Sequence, residues 1–338
     1  MSKHPSVFIV SSGRAGSTLL QAILNASGQI CIPKESDFIG RAYPFFYQKS
    51  TYQENDYKVL ADMFCRSSQD KGWGIDKSDI VRQLKKHSPQ TLADVFGRIC
   101  EIYHKAEGTQ DLVWGIKRPV LIASMKRVIS TYPDAKIIHI CRDGRDVYLS
   151  YKHIHKNGAI KFGPNNAFTG GLYWVSGLRY IDAFKKEGYV DNLLEIKYES
   201  LLCSPKETLE SLSEFVGINY NASAIDDFNQ GKSKRAVAPK SFMSTIHPKL
   251  SQKIDPSNTK KYAKEMTRFE IFIFELIASP LLKKYGYKLE YRFLGFPLFS
   301  PIRAVLYSIA MGWNGYRYKK RDERYYRNST ESIQELKN

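Results

Sequence analysis

The sequence predicts an α/β protein, a single domain built on a P-loop-like parallel β-sheet that is flanked by helices on both faces and carries helical insertions. Short apolar runs alternate with longer segments of helical periodicity, which is typical of a parallel sheet buried between helical layers. Two of the runs end in loops of small and charged residues that open a helix. The candidate strands are Val7–Val10, Gln29–Ile32, Leu112–Ile116, Lys136–Cys141 and Asn192–Lys197.

The predicted helices fill the intervals between the strands and continue after the last one. At 338 residues, the chain can bury a large core without disulfides or metal. We expect a main domain over residues 1–290, an apolar and then basic C-terminal extension over 291–327, and a disordered tail over 328–338. The helical patterns lie near residues 56–67, 78–87, 91–106, 119–131, 144–156, 168–187, 205–216 and 268–285.

The charge of the chain predicts a polyanionic partner. Its 51 Lys and Arg against 34 Asp and Glu give a formal charge of +17, which suits a nucleotide, an acidic glycan, a nucleic acid or an anionic membrane surface. Five cysteines, most of them in apolar segments, indicate reduced thiols, and no Cys/His spacing resembles a metal site, so we expect no metal. The N-terminal apolar run is too short for a signal peptide, which favours a cytoplasmic location.

The first candidate strand ends in SSGRAGSTLL, residues 11–20. A helix N-terminus offers unpaired N–H groups and a partial positive charge, and small residues let an anion approach them. Arg14, Gly16, Ser17 and Thr18 therefore predict a phosphate or sulfate site, with an ordinary glycine turn as the structural alternative. A kinase or NTPase loop carries a lysine after its last glycine. Here Ser17 follows Gly16, which disfavours ATP hydrolysis.

The fourth candidate strand leads into a second such loop, Arg142–Asp146, and then into a helix. Asp143 suits the N-cap and Gly144 the turn. The planar guanidinium of Arg142 is shaped to grip a phosphate. Alternatively, Arg142 and Arg145 form a solvated pair balanced by the two aspartates. Ligands of open parallel sheets lie beyond the carboxyl ends of the strands, so we expect both loops on one functional edge.

Together the two loops resemble those of sulfotransferases that use PAPS, 3′-phosphoadenosine 5′-phosphosulfate. The first is similar to the family's P-[KR]-S-G-T-[TS]-x-L loop, and the second to its R-[DN]-P-[RK]-D-x-x-x-S segment. Ala15 replaces a common Ser in the first loop, and Gly144 replaces Pro in the second. The segments TYPDAK and KYESLLCSPKETLESLSEFVGI are similar to family scaffold segments, so the resemblance covers about residues 6–290.

The resemblance implies which residues hold PAPS. The first loop would cradle the 5′-phosphate and the second would hold the 3′-phosphate. The family also closes a basic loop over the nucleotide; the nearest match is Lys260 and Lys261, with Lys232, Lys234 and Arg235 as a looser option. The implied residues of the two loops are Arg14, Ala15, Gly16, Ser17, Thr18, Arg142 and Ser150.

Three residues form the catalytic group that the resemblance implies. Arg14 would lie beside the sulfuryl group, and Lys117, in a WGIKRP segment similar to that of glycan and bacterial sulfotransferases, would be a second cation. Glu35 lies in a segment similar to the K-E-x-x-F-F of heparan-type sulfotransferases and would deprotonate the acceptor. Lys34 would lower the pKa of the Glu35 carboxylate or orient that carboxylate. The structural alternatives are a surface lysine at a helix start and a solvated glutamate.

A histidine base is the other arrangement found in the family, among the cytosolic phenol and steroid enzymes. Their K-x-H-L-P-like segment has no counterpart in this sequence. We interpret His153 and His155 as packing residues of their helix, and His247 as a lesser candidate for the base. The chain is therefore nearer to the glycan and bacterial branch.

The C-terminal extension combines an apolar tract with the basic and aromatic segment YRYKKRDERYYR. This composition predicts either a contact with the headgroup region of a membrane, which would make the protein peripheral on the cytoplasmic face, or a helix that caps the core. The tract Phe293–Trp313 contains Pro297, Pro301 and Arg303, so it would make a poor transmembrane span.

The sequence thus predicts a PAPS-dependent sulfotransferase that moves a sulfuryl group onto a hydroxyl or amine of a glycan, lipid or small molecule and releases PAP, the desulfated nucleotide. A nucleotide or small-molecule kinase of related fold is the alternative among enzymes. A basic nucleic-acid-binding protein is the alternative outside them. The kinase alternative is disfavoured because the first loop lacks the lysine that a kinase requires. Nucleic-acid binding would explain the charge but neither loop, so we expect no nucleic-acid partner.

Overall fold

The computed structural model describes residues 4–158, 162–230 and 254–335. Over these residues the strands form one parallel sheet in the order β2-β3-β1-β4-β5. The predicted α/β class is confirmed, and each predicted strand is found with its ends shifted by at most a residue or two. The strands are β1 Val7–Val10, β2 Ile30–Cys31, β3 Val113–Lys117, β4 Lys136–Cys141 and β5 Leu193–Lys197.

Strand β1 lies at the centre of the sheet and sets the register of the functional edge. All four of its residues are buried. Ile9 is opposite Lys117 of β3, and Val10 is opposite His139 of β4. The segments that follow β1, β3 and β4 therefore leave the same edge of the sheet side by side, where ligands of such sheets bind.

Helical layers cover both faces of the sheet, as the alternation of side chains along β1 shows. Phe8 and Val10 belong to one apolar core, and Val7 and Ile9 belong to another. The helices are α1 Ser17–Ala26, α2 Phe38–Phe46, α3 Glu54–Ser67, α4 Gln69–Trp73, α5 Lys77–His87, α6 Leu92–Ala106, α7 Met125–Thr131, α8 Gly144–Lys156, α9 Ala167–Lys186, α10 Tyr198–Cys203, α11 Pro205–Val216, α12 Ala224–Asn229, α13 Tyr262–Glu265, α14 Arg268–Lys284 and α15 Ser300–Glu335.

Most long helices coincide with the predicted patterns, but two departures bear on the site. The sequence gives no clear pattern for α2, because Pro44 interrupts it and aromatic residues lie on several sides of it. The predicted helix over 119–131 begins instead as a 3₁₀ segment, Pro119–Ser124, and only then becomes α7. Further 3₁₀ turns cover Pro256–Asn258, Arg292–Gly295 and Pro297–Phe299.

Helix α15 runs through Glu335, whereas we expected a disordered tail from residue 328. The helix continues because its polar sequence finds buried partners on the domain. Asp322 accepts hydrogen bonds from Arg127 at 2.7 Å and from Arg41 of α2 at 3.3 Å. One turn on, the Tyr326 ring stacks on a phenylalanine of α2 with centroids 4.2 Å apart. Ser329 is fully buried.

The first part of α15 packs on α14 through one face only. Arg303 donates to the Leu276 carbonyl oxygen at 2.7 Å, and the Tyr307 hydroxyl donates to the carbonyl oxygen of Ile277. Both side chains are buried. Among the described residues, no helix has the length and apolar character needed to cross a bilayer.

We predict that Asp322→Asn lowers the free energy of unfolding by about 2 kcal/mol, because it weakens the charged hydrogen bonds from Arg127 and Arg41, although Arg41 keeps its pair with Asp37 at 2.9 Å. The matched control is Glu323→Gln, which removes a neighbouring carboxylate that is 42% exposed and pairs with Lys320; surface pairs of this kind contribute at most about 1 kcal/mol. Urea denaturation of both variants measures the difference. Equal losses would show that this cluster does not hold α15 in place.

Candidate active site

The loop between β1 and α1 has a backbone conformation that allows an anion to approach closely. Gly13 (φ 72°), Arg14 (φ 53°) and Gly16 (φ 96°) all have left-handed backbone, and loops of this kind ahead of a helix gather N–H groups into a concave anion site. A Cβ added to Gly16 would lie 2.3 Å from Cδ2 of Tyr198. Ala15 is buried, and Ser17 and Thr18 begin α1 with buried side chains.

The second loop is fixed by the cap of α8. Asp143 accepts a hydrogen bond from the backbone N–H of Arg145 at 3.0 Å, as its position predicts. The Arg145 side chain is 1% exposed and pairs with Asp143 at 2.7 Å and with Glu275 of α14 at 2.6 Å. Arg145 is therefore not a solvated cation; it fastens α8 to α14.

Arg142 and Ser150 face the first loop, so the structure brings the two loops together. Arg14 Nε donates to Ser150 Oγ at 3.1 Å. Arg142 donates to the Asn258 carbonyl oxygen at 2.9 Å, and its guanidinium lies 4.5 Å from the centre of the Tyr198 ring. Its Nε is buried and, among the described residues, has no hydrogen-bond acceptor. An anion between the loops would supply that acceptor.

Glu35 is held between two cations at the ends of β2 and β3. Lys117 Nζ donates to Glu35 Oε1 at 2.5 Å and to Thr18 Oγ1 of the first loop at 3.2 Å. Arg118 Nη1 donates to Glu35 Oε2. The Lys117 side chain is only 1% exposed, so Lys117 is not a surface lysine, and Glu35 is not a solvated glutamate.

The charges of this trio determine the protonation of the carboxylate. Burial alone would raise the pKa of Glu35, but the charges and hydrogen bonds of Lys117 and Arg118 outweigh it and lower the pKa to about 2. Burial lowers the pKa of Lys117 against the opposing pull of Glu35. Glu35 is therefore an anion at neutral pH that anchors the two cations, and with so low a pKa it is a weak base in the free protein.

The prediction for Lys34 was wrong. Its ammonium pairs with Asp70 of α4 and not with Glu35, because the chain turns after β2 and sends neighbouring side chains in different directions. Arg118, which the sequence analysis missed, takes that place. Its position directly after Lys117 at the end of β3 is the signal that could have found it.

Of the histidine candidates for the base, only some lie in the part of the chain that the structure describes. The His153 side chain is half exposed, and its Nε2 lies 3.0 Å from Glu265 Oε2. It is therefore not a packing residue of α8, contrary to our expectation. His247 lies outside the described residues. Neither His153 nor His247 is thereby identified as the base. The ion pairs that hold Glu35 come from Lys117 and Arg118.

The basic segment before α13 lies against the second loop. The backbone N–H of Tyr262 donates to Asp146 Oδ1 at 2.8 Å, and the backbone of Lys260 also bonds to that carboxylate. Lys261 lines the cleft between the loops, and Lys260 is tied beside it by its main chain. The looser alternatives Lys232, Lys234 and Arg235 lie outside the described residues.

These groups open into one large cleft of 1710 Å³. Both loops line it, together with Glu35 and Arg118. The model of the sulfotransferase family matches residues 5–222, well over half of the chain and both loops. The chain belongs to the sulfotransferase family.

Curated relatives match this sulfotransferase only in part. The omega-hydroxy-beta-dihydromenaquinone-9 sulfotransferase of Mycobacterium bovis is 32% identical over 109 residues, which are 30% of this chain and 28% of that protein. An uncharacterized protein of Aquifex aeolicus is 21% identical over 83% of this chain. The chain matches only 35% of that second relative's length.

Solved structures support the fold. The sulfotransferase domain of the Synechococcus olefin synthase aligns with a TM-score of 0.52 and 18% identity, over 85% of this chain and 96% of that domain. The sulfotransferase domain of the curacin biosynthetic pathway aligns with a TM-score of 0.50 and 15% identity, over 86% of this chain and 100% of that domain. At these identities the likeness shows the fold alone.

The far half of the sulfotransferase cleft is aromatic and apolar. Tyr151 and Tyr173 lie against Gly13, with their hydroxyls 3.3 Å apart. Beyond them, α15 contributes one wall of the cleft, which the sequence analysis did not foresee. Apolar and aromatic residues that line this half include Phe162, Phe168, Leu172, Tyr180, Ile309 and Trp313.

We predict that Gly16→Ala weakens PAP binding at least tenfold, because the new methyl group collides with Tyr198 and distorts the loop. Gly28→Ala is the matched control: Gly28 is also left-handed (φ 72°), but a Cβ there meets no atom within 4 Å. Both variants carry the backbone strain of about 1–2 kcal/mol, so calorimetric PAP titration isolates the collision. Equal PAP affinities in the two variants would contradict a binding role for this loop.

Proposed function

We propose that this protein transfers the sulfuryl group of PAPS to a hydroxyl or amine of an apolar acceptor and releases PAP. The observation that carries the proposal is that Arg14 and Glu35 line the cleft where the two anion loops meet, with Lys117 buried against Glu35. Cations there can stabilise charge that develops on sulfuryl and bridging oxygens, and a carboxylate beside them can take the acceptor's proton.

The residues present suit the two phosphates of PAPS. The left-handed turn that ends at Gly16, with Ser17 and Thr18, would hold the 5′-phosphate at the N-terminus of α1. Arg142 and Ser150 would hold the 3′-phosphate, with the unpaired Nε of Arg142 as one donor. The backbone links of Lys260 to the second loop would bring Lys261 toward the same phosphate.

In the proposed reaction, the acceptor oxygen or nitrogen forms a bond to sulfur while the bond from sulfur to the 5′-phosphate oxygen breaks. Arg14 and Lys117 would stabilise the charge that moves onto the leaving phosphate oxygen. The acceptor proton passes to Glu35. A sulfuryl group bound beside Lys117 adds negative charge next to Glu35, which raises the pKa of that carboxylate and makes it a better base than in the free protein.

An apolar acceptor is favoured by the lining of the cleft. Aromatic side chains cover its far half, and Phe162 and Trp313 remain more than half exposed there. Helix α15 also brings cations to the cleft, so its lining combines apolar surface with positive charge; they are Arg317, Lys320, Arg321 and Arg324. The name of the mycobacterial relative, a hydroxylated dihydromenaquinone sulfotransferase, fits a lipid-like acceptor.

We predict that PAP at a hundred times its Kd stabilises the protein by about 2.7 kcal/mol. Arg142→Ala should abolish this stabilisation. The control Arg82→Ala removes an arginine that is 69% exposed on α5 and should leave it unchanged. Thermal unfolding with and without PAP measures both. A shift with ATP and Mg²⁺ or with an oligonucleotide, but none with PAP, would overturn the proposal.

We predict that Glu35→Gln lowers turnover at least about a hundredfold while PAP affinity is kept, because the proton acceptor is lost. The substitution also removes the charge that pairs with Lys117 and Arg118. Since the pKa of Glu35 in the free protein is lowered to about 2, kcat/KM of the wild-type protein should not fall through this group between about pH 5 and about pH 8. Product formation from PAPS and a hydroxylated lipid measures the effect.

Two further variants separate chemistry from folding in that experiment. Glu35→Asp keeps the charge that Lys117 and Arg118 require but moves the carboxylate away from the acceptor, because its side chain is shorter. This variant should fold well and still turn over slowly. Glu101→Gln removes a paired carboxylate on α6 and should behave as wild type. Full turnover in a folded Glu35→Asp or Glu35→Gln protein would remove Glu35 from the chemistry.

A further inference from the structure

One face of α15 and the turns before it present large apolar side chains to solvent. On α15 they follow a spacing of three or four residues, which places them on a single side of the helix. Each is at least half exposed. They are Phe293, Phe296, Leu298, Ile302, Val305, Ile309, Trp313 and Tyr316, and we call this set the apolar stripe.

The stripe is exposed because α15 packs by its other side. Arg303 and Tyr307 point into α14, where both are buried and hydrogen-bonded to main-chain carbonyls. Farther along the helix, Asp322 is buried in the ion cluster with Arg41 and Arg127. Both halves of α15 are therefore anchored, and the stripe is held outward as a fixed surface.

The chain segment that carries the stripe has charges of one sign only. Residues 291–321 contain no Asp or Glu; Arg303 is buried, and the other basic residues are Arg292, Arg317, Lys319, Lys320 and Arg321. Apolar side chains flanked by lysine and arginine are the features of helices that lie in the interface of an anionic bilayer. A second copy of this chain would bring the same positive charge to the same face, which opposes a symmetric dimer.

The stripe also borders the acceptor cleft. Ile309, Trp313 and Tyr316 belong to the stripe and line the cleft, and Phe162 and Phe168 line the cleft from other elements. The exposed apolar surface therefore continues into the half of the cleft assigned to the acceptor. A long-chain alcohol could move from a bilayer to the cleft without crossing water.

We propose that the apolar stripe docks on the surface of an anionic membrane and that the acceptor reaches the cleft from that membrane. The docking stands on the exposure and charge of α15 alone; only the delivery of acceptor rests on the proposed function. Ile302 and Val305 are the residues to test, because they belong to the stripe and do not line the cleft.

The test is co-sedimentation of the full chain with phosphatidylcholine vesicles, with and without phosphatidylglycerol. Wild type should bind the anionic vesicles and be released by high salt. Ile302→Ser with Val305→Ser should weaken binding at least tenfold. The control Val190→Ser changes a side chain that is 55% exposed just before β5, at the opposite edge of the sheet, and should bind as wild type.

Tryptophan fluorescence gives a second readout on the same samples. All four tryptophans lie in the described part of the chain, and Trp313 is 60% exposed while the others are buried. Docking should shift the emission to shorter wavelength with anionic vesicles in the wild type and in Val190→Ser, and not in the double variant.

Two outcomes would overturn the inference: no binding to anionic vesicles, or a wild-type dimer in sedimentation equilibrium that the double variant dissociates. PAP-induced stabilisation measured on the same proteins keeps the two proposals apart. If wild type binds vesicles but not PAP, the proposed function fails and the docking stands. If PAP stabilises every variant but none binds vesicles, the docking fails alone.

Discussion

The site depends on the ion trio of Glu35, Lys117 and Arg118. A lysine that is almost fully buried at the end of a central strand loses several kcal/mol of hydration, and only a close carboxylate offsets that loss. Glu35 therefore fixes the ends of β2 and β3 relative to each other. Through the bond from Lys117 to Thr18, the same trio reaches the first anion loop. The neutralisation of Lys117 thus holds together the first anion loop and the ends of β2 and β3, which are distant in sequence.

The parallel sheet explains why the loops could be predicted from the sequence. Apolar runs such as Lys136–Cys141 mark buried strands, and the residues after neighbouring parallel strands must meet at one edge. The meeting of Arg14, Arg142 and Ser150 follows from that rule, once β1 and β4 are neighbours. The secondary structure and the two anion loops are therefore local in origin and can be predicted from the sequence.

The remainder of the site depends on contacts that no local pattern encodes. Which cation pairs with Glu35 is decided by the turn after β2, and that turn directs Lys34 to Asp70. Helix α15 is polar enough at its end to suggest disorder, but Arg41 and Arg127 of the main domain neutralise Asp322 and hold it. Tertiary contacts determine its position on the wall of the cleft, so this position cannot be predicted from the sequence of α15 alone.

The wall that α15 contributes lies beyond residue 222, where the match to the family ends. The proposed acceptor side of the cleft therefore includes a stretch of chain outside the family match, and the buried cluster at Asp322 helps to hold that stretch against the domain. Substitutions between Leu306 and Trp313 would reshape this wall of the cleft while the two anion loops stay unaltered. Redesign of the C-terminal helix would accordingly be a direct way to change the proposed acceptor while the anion loops are kept.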